Sequence, residues 1–291
     1  MIDQLANEKI VRNTKENKIS CQLCNGDTIS LGNHKVLANK NTGLYFCENC
    51  ESLFRFPMPS TIDLYEYYEN VPFVKPIGLQ RYRLSKRLRK TKRQAKALKD
   101  ILIRQGYSSD AKILDLGAGI GGLIKELQDL GFKNVFGIEG RKQAREFSMN
   151  EFNIKLEPGW IFDAHKIFPK ADIILLSHVL EHLDKPWEVI EYLKKHYPNA
   201  LLWIEVPNGE LSSKIYSGDV LWNIWLSQHL WAYSKKGLIS LFKKYDISLL
   251  EISSGRHYPM YESIRRFEFS FARSLFVYGK NVNLNLKQIF L

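Results

Sequence analysis

Asp115 stands two residues ahead of a run of alternate glycines, Gly117, Gly119 and Gly121, with Ala118 between the first two. Backbone without side chains at alternate positions turns sharply and approaches a ligand more closely than any Cβ allows. Two other constellations carry chemistry. Cys21-x-x-Cys24 and Cys47-x-x-Cys50 are all four cysteines of the chain, two knuckles separated by 22 residues. A hairpin that brings them together offers four thiolates in the tetrahedral set that holds a structural zinc ion. Such a closed site has no open coordination position, so its role is stability and shape. The third constellation is His178, Glu181 and His182, and His229 stands apart further along the chain; imidazoles and carboxylates are able to move a proton near neutral pH.

The glycines alone do not name their ligand, because Gly117, Gly119 and Gly122 also satisfy the dinucleotide fingerprint G-x-G-x-x-G. Asp115 discriminates. A carboxylate at the carboxyl end of the preceding strand repels a pyrophosphate seated on the helix N-terminus. It suits a ligand with an ammonium and a sulfonium centre and no phosphate, which is S-adenosylmethionine. His178-x-x-Glu181-His182 read literally is the H-x-x-E-H signature of a zinc peptidase. That motif needs a long helix carrying both histidines, whereas here it starts at the end of an apolar strand and meets Asp184-Lys185-Pro186 within two residues.

The elements that position these groups alternate in type. Ile113, Leu114 and Leu116 make a buried strand, and Leu123, Ile124, Leu127 and Leu130 recur at helical spacing after the turn. A second strand, 134–138, ends at Glu139, 22 residues beyond Gly117, where an acid accepts hydrogen bonds from both hydroxyls of a ribose. A third falls within 154–161. Residues 171–176 are a continuous apolar run of the kind found in parallel sheets covered on both faces. An amphipathic helix over 187–197 leads to a strand over 201–206 that carries Glu205 at its end, and an insertion to about 227 holds Trp222 and Trp225. A strand-like stretch over 247–252 and the aromatic run Phe267, Phe269, Phe271 then complete the sheet. The pattern predicts an α/β fold, a Rossmann-like, doubly wound and mostly parallel sheet.

Composition locates the charge. The chain of 291 residues carries a net +11, of which 81–99 supply ten Lys or Arg and no acid, leaving +1 for the remainder. Leu84, Leu88, Thr91, Ala95, Leu98 and Leu102 run along one side of that stretch by fours and threes, so it is a helix whose cations form a solvated face. A phosphorylated substrate, nucleic acid or acidic membrane surface is the alternative partner for so basic a segment. The first residues contain no apolar h-region and no run is long enough to span a bilayer, so nothing directs the chain out of the cytoplasm. There the four cysteines bind metal rather than form disulfides.

The stretch from Ile113 to about Asn208 resembles a class I SAM-dependent methyltransferase, with its D-x-G-x-G-x-G element at Asp115 to Gly121. The two knuckles, followed by PMPS and LYEYYEN, are similar to the zinc-ribbon leader of methyltransferases associated with sugar and surface-glycan biosynthesis. That resemblance divides the chain into a zinc ribbon with a polar leader (1–59), a helical lid and basic helix (60–108), a SAM-binding catalytic domain (109–255) and a C-terminal extension (256–291). It implies that the tyrosine-rich segment, with Leu64, Tyr67 and Tyr68 on one helical face, is part of a lid; the alternative is a plain packing helix. It implies that Asp163 accepts from the adenine amino group. It also implies that Ser177, His178 and the following VLEHL line the methionine moiety and the acceptor.

Ser227 to Ser234 is similar to the histidine-bearing segment of deoxysugar C-methyltransferases, with His229 retained, Gln228 in place of Glu and Leu226 in place of Tyr. Two of three polar positions therefore differ, leaving O- or N-methylation open. The implied acceptor is a small molecule, phosphorylated or nucleotide-linked, with a sugar, nucleotide-sugar or glycan precursor first and tRNA or rRNA docking on the basic helix second. His229 is the expected base, with His182 and Glu181 in reserve.

Overall fold

A computed structural model describes residues 19–36, 40–70, 79–209, 228–254 and 274–281. Trp222, Trp225, Leu226 and the aromatic run from Phe267 to Phe271 lie outside the described residues. In chain order, β1 (Thr28–Val36), β2 (Lys40–Cys47) and β3 (Leu53–Phe56) precede α1 (Thr61–Asn70) and the long α2 (Leu79–Arg104). The nucleotide-binding pattern follows as β4 (Lys112–Leu116), α3 (Gly122–Asp129), β5 (Asn134–Glu139), α4 (Lys142–Phe152) and a short β6 (Glu157–Pro158). Then come α5 (Ala164–Ile167), β7 (Ile173–Ser177), α6 (Pro186–His196) and β8 (Leu201–Pro207). The last described elements are β9 (Trp231–Ala232), α7 (Lys235–Lys244), β10 (Ile247–Ser254) and β11 (Ser274–Asn281).

The large sheet has the order β10-β11-β8-β7-β4-β5-β6. The five strands from β8 to β6 run parallel, and β11 lies antiparallel between β8 and β10. Side chains alternate across it. Leu114, Leu116, Ile174, Leu176, Leu202 and Ile204 join one core, and Ile113, Ile173, Leu175, Leu201 and Trp203 join the other, which is the consequence of a two-residue period in strands covered on both faces. This is a Rossmann-like, doubly wound fold, as the sequence pattern predicts. Its winding reverses between β4 and β7, and ligands bind such sheets in the crevice beyond the strand ends at that point.

A second sheet has the order β1-β2-β3-β9. Leu53 and Phe54 pair with Ala232 and Trp231 from the far end of the chain, so the division at residue 59 separates strands that share one sheet. Phe54 stacks on Trp231 at 5.3 Å, and Ser52 and Ser234 hydroxyls meet at 3.2 Å. The cysteine module and one face of the large sheet share a continuous core.

Helix α1 starts with a capping box, in which Ser60 N–H donates to Asp63 Oδ2 at 3.0 Å and Asp63 N–H to Ser60 Oγ at 3.1 Å. Helix α2 buries Ala95, Leu98 and Leu102 as its stripe requires. Its cations do not form a uniformly solvated face: Lys90 and Gln94 reach across the ends of β7 and β8, and Lys99 donates to the Leu130 carbonyl at 3.1 Å. Among the described residues no helix is long and apolar enough to cross a membrane.

Candidate active site

A cavity of about 450 Å³ opens over the carboxyl ends of β4, β5 and β7, within the range that takes a small ligand. Asp115, 2% exposed, lies at its floor, and its Oδ1 has no hydrogen-bond partner among the described residues. Burial, followed by the charge of Glu139, raises its carboxyl to about 7. The turn above is tied to β5, with Gly117 and Ala118 N–H donating to the Ile138 carbonyl at 2.9 and 3.0 Å. Glu139 closes the turn from the other side. Its Oε2 accepts from Gly119 N–H at 2.8 Å, and its Oε1 from Arg141 N–H at 3.0 Å and Arg141 Nε at 3.1 Å, leaving a lone pair on Oε2 for a further donor.

Gly117 has φ of 76°, and a Cβ there would lie 2.8 Å from Val179 Cγ2. Gly117→Ala therefore adds left-handed strain to a clash with the segment after β7. It is expected to cost about 1–3 kcal/mol and to weaken binding in the cavity about tenfold, read by thermal denaturation and calorimetry.

At the β5–β6 end the wall is Gly140, Gly159, Trp160, Ile161 and Phe162. Asp163 is not part of that wall. Its Oδ2 accepts from Trp160 N–H at 3.2 Å, and Lys166 lies 3.5 Å from Oδ1. Trp160 stacks on Tyr65 of α1 at 4.3 Å, and Thr61, Leu64 and Tyr68 of the same helix also line the cavity. Thr61 Oγ1 donates to Asp184 Oδ2 at 2.8 Å, pinning the helix to the loop after β7.

The opposite wall carries residues that the motifs did not announce. Gln94 Nε2 donates to Ser177 Oγ at 2.7 Å and also to Glu205 Oε2. Lys90 Nζ lies 2.9 Å from His178 Nε2 and 3.4 Å from Glu205 Oε1, so an ammonium and an imidazole share one buried carboxylate. His178 has φ of 55° and its Nδ1 meets Glu181 Oε1 at 3.2 Å. Burial lowers its pKa, but hydrogen bonds to Glu181 and Glu205 outweigh that and raise it to about 9. The available signal for Lys90 and Gln94 was their place beside Thr91 and Ala95 of the buried stripe, where Leu88 and Thr91 bring α2 against Gly122.

Glu181, His182 and His229 converge although 46 residues separate the two histidines' loops. Leu230 N–H donates to the Glu181 carbonyl at 2.8 Å, and Arg55 Nε donates to the His229 carbonyl at 2.9 Å. The histidine rings meet edge to face at 4.7 Å. His182 is on the cavity wall together with Gln228, whereas His229, 9% exposed, lies behind it. His182 Nδ1 meets the Gln228 carbonyl at 3.0 Å and the Tyr68 hydroxyl at 2.8 Å. A carbonyl only accepts, so Nδ1 carries the hydrogen, with Tyr68 oxygen its second acceptor. Glu181 is fully buried, which by itself raises its pKa; the hydrogen bond from His178 and the imidazoles of His182 and His229 overcome this and hold it below the ordinary value. The peptidase geometry does not form, because His178 follows a strand end and is held by Glu181 and Glu205, and only Leu180–His182 makes a single short turn where that motif needs a long helix.

The four cysteines are free of disulfides and their sulfurs lie within 4.8 Å of one another, with Cys21–Cys50 at 3.7 Å and Cys24–Cys47 at 3.5 Å. A tetrahedron with metal–sulfur bonds of about 2.3 Å has edges of about 3.8 Å, so the set fits zinc. A Cβ on Gly26 would lie 2.5 Å from Asn49 Cβ and 3.3 Å from two of the sulfurs, which explains a glycine after the first knuckle.

A family model described as a methyltransferase domain matches residues 85–252, more than half of the chain. EEF1A lysine methyltransferase 2 from Danio rerio is 30% identical over 111 residues, 36% of this chain and 48% of that protein. The chain spans about half the length of the curated relative it matches. Among solved structures, the plantazolicin methyltransferase BpumL in complex with SAH has a TM-score of 0.51 at 18% identity, covering 75% of this chain and 94% of its own. The mitomycin 7-O-methyltransferase MmcR has a TM-score of 0.51 at 15% identity, covering 75% of this chain and 60% of its own. At these identities the two likenesses concern the fold.

Proposed function

Since the chain belongs to the methyltransferase-domain family, we propose that it transfers the methyl group of S-adenosylmethionine to a small-molecule acceptor, a sugar, nucleotide-sugar or surface-glycan precursor. The observation that carries this reading is one cavity with two chemically different ends. Asp115 and Glu139 occupy one, His182 with Glu181 and His229 behind it the other, and α1 and α2 wall the space between them. Such walls favour a small acceptor over a folded polymer.

The residues present fit the donor, since the unpartnered Asp115 Oδ1 calls for a cationic group and Glu139 Oε2 keeps a lone pair for a ribose hydroxyl. When bound, S-adenosylmethionine supplies a methyl group already activated on a sulfonium, so the chain's own tasks are alignment, exclusion of water and removal of a proton. Asp115, Glu139 and the glycine turn orient the donor, and Trp160 provides an apolar face for its base. Tyr68, bonded to His182, excludes water from the acceptor end, and Tyr65 backs Trp160 at the donor end. His182, at the wall, takes the proton of a hydroxyl acceptor, with Glu181 and His229 stabilising the charge that develops.

Exposed Arg89, Lys92 and Lys96 on α2 favour one second reading, docking of tRNA or rRNA. Incubating nucleotide-sugar, glycan and RNA pools with the protein and isotopically labelled donor separates the two. Mass spectrometry is expected to find the label in the sugar or nucleotide-sugar fraction. Label confined to RNA, together with a gel shift lost when Arg89, Lys92 and Arg93 become Ala, establishes the second reading instead.

A further inference from the structure

The Glu181, His182 and His229 cluster is built in a way that plain proton transfer does not require. Glu181 is fully buried, its Oε1 is engaged by His178, and its Oε2 has no hydrogen-bond partner among the described residues. A buried carboxylate oxygen with nothing to accept from is costly. His182 commits Nδ1–H to the Gln228 carbonyl, which leaves the lone pair on Nε2, and Nε2 is the nitrogen that faces the Glu181 carboxylate, 3.9 Å from its Oε1. An imidazole whose second nitrogen donates to a carbonyl, beside a carboxylate steadied by another hydrogen bond, is the outer support characteristic of metal ligands. The ligand atoms of all three residues lie within 4.8 Å of one another.

We propose that Glu181, His182 and His229 hold a divalent first-row transition-metal ion at the acceptor end of the cavity, and that the acceptor binds this ion through a hydroxyl oxygen. Two imidazoles and one carboxylate suit Zn²⁺, Co²⁺ or Mn²⁺ better than Mg²⁺ or Ca²⁺. Three protein ligands leave a coordination position open, unlike the closed four-thiolate set, and His182 places the cluster at the cavity wall. The ion lowers the pKa of the hydroxyl. With His182 Nε2 committed to the ion, the hydroxyl proton leaves to water in place of His182, the oxygen forms the new O–C bond as the donor's S–C bond breaks, and sulfur departs with that electron pair as a neutral thioether. The inference rests on the methyltransferase reading and narrows it to hydroxyl-bearing acceptors.

The test titrates Co²⁺ into the full chain with its cysteine site already filled with zinc. One further equivalent is expected, with weak visible d–d bands and without the intense near-ultraviolet charge transfer of thiolate ligation. Glu181→Gln and His229→Ala, each with an unchanged far-UV circular dichroism spectrum, are expected to weaken it at least about tenfold. Catechol, an oxygen-ligand probe, is expected to shift the d–d bands by entering the open position. Absence of a second equivalent, equal binding by both variants, or bands indifferent to catechol overturns the proposal. A chain that binds Co²⁺ here but not S-adenosylmethionine keeps the metal site and loses the methyltransferase reading, and one that binds S-adenosylmethionine but no Co²⁺ beside its zinc does the reverse.

Discussion

Asp115→Ala is expected to abolish the binding of S-adenosylmethionine in calorimetry, a loss of at least about a hundredfold or about 3 kcal/mol, while the far-UV circular dichroism spectrum stays that of the parent. The size follows from burial. At 2% exposure the carboxylate meets a cationic donor with little water to screen it, and no other hydrogen-bonding group among the described residues engages its Oδ1. The fold survives because removing a carboxyl that burial has raised to about 7 also removes its desolvation cost.

The same shift sets a pH dependence. The folded carboxyl holds its proton to about 7 against an ordinary value of 3.8, so its contribution to stability is in place at low pH and is lost as pH rises through about 7. A cationic ligand reverses that sign by favouring the ionised form. Donor affinity accordingly rises with pH up to about 7, by as much as about tenfold per unit, and Asp115→Asn flattens the profile. Unchanged affinity in Asp115→Ala, or a nicotinamide coenzyme bound in preference, would falsify the assignment of the donor site.

Stripping zinc from the cysteine cluster, or making Cys24→Ser, is expected to carry the second large effect, a fall in melting temperature of more than about 10 °C together with loss of methyl transfer. Zinc contributes about 10–16 kcal/mol to the folding of isolated zinc-finger peptides. Here part of that is retained, because the module's core continues into that of the large sheet. Activity suffers through a mechanical link. Ser234 Oγ donates to the Cys50 carbonyl, Ser52 meets Ser234, and Arg55 of β3 holds the His229 carbonyl. Loosening the knuckles frees β9 and with it His229. Trp231, packed on Phe54, reports the change as a red shift in fluorescence, whereas Asp115 and Glu139 are untouched and donor affinity stays within about threefold of the parent. Purified protein with no zinc, or a melting temperature indifferent to its removal, sinks this account.

Much of the site is legible without coordinates because it is local. Ile113 to Gly122 contains its own strand, turn and helix start, Glu139 ends the next strand, and the knuckles are defined by short spacing, so near-neighbour sterics and periodicity suffice. The parallel core is equally plain, since only strands buried on both faces are apolar throughout. Placement of Asp163 was not legible, because two residues of β6 carry too little pattern to define where the following turn points.

What the tertiary structure alone decided is which distant segments meet. Trp231 and Ala232 look like any apolar pair, yet they complete the cysteine module's sheet. Lys90 and Gln94 read as surface of a basic helix, yet they close on Ser177 and Glu205. His182 and His229 are equivalent imidazoles in a sequence, and only their packing puts one at the cavity wall and the other behind it. The reason is physical. Periodicity records which face of an element is apolar, but every buried face is apolar in the same way, and the choice among partners is made by shape and by the pairing of buried polar groups once the chain has closed on itself.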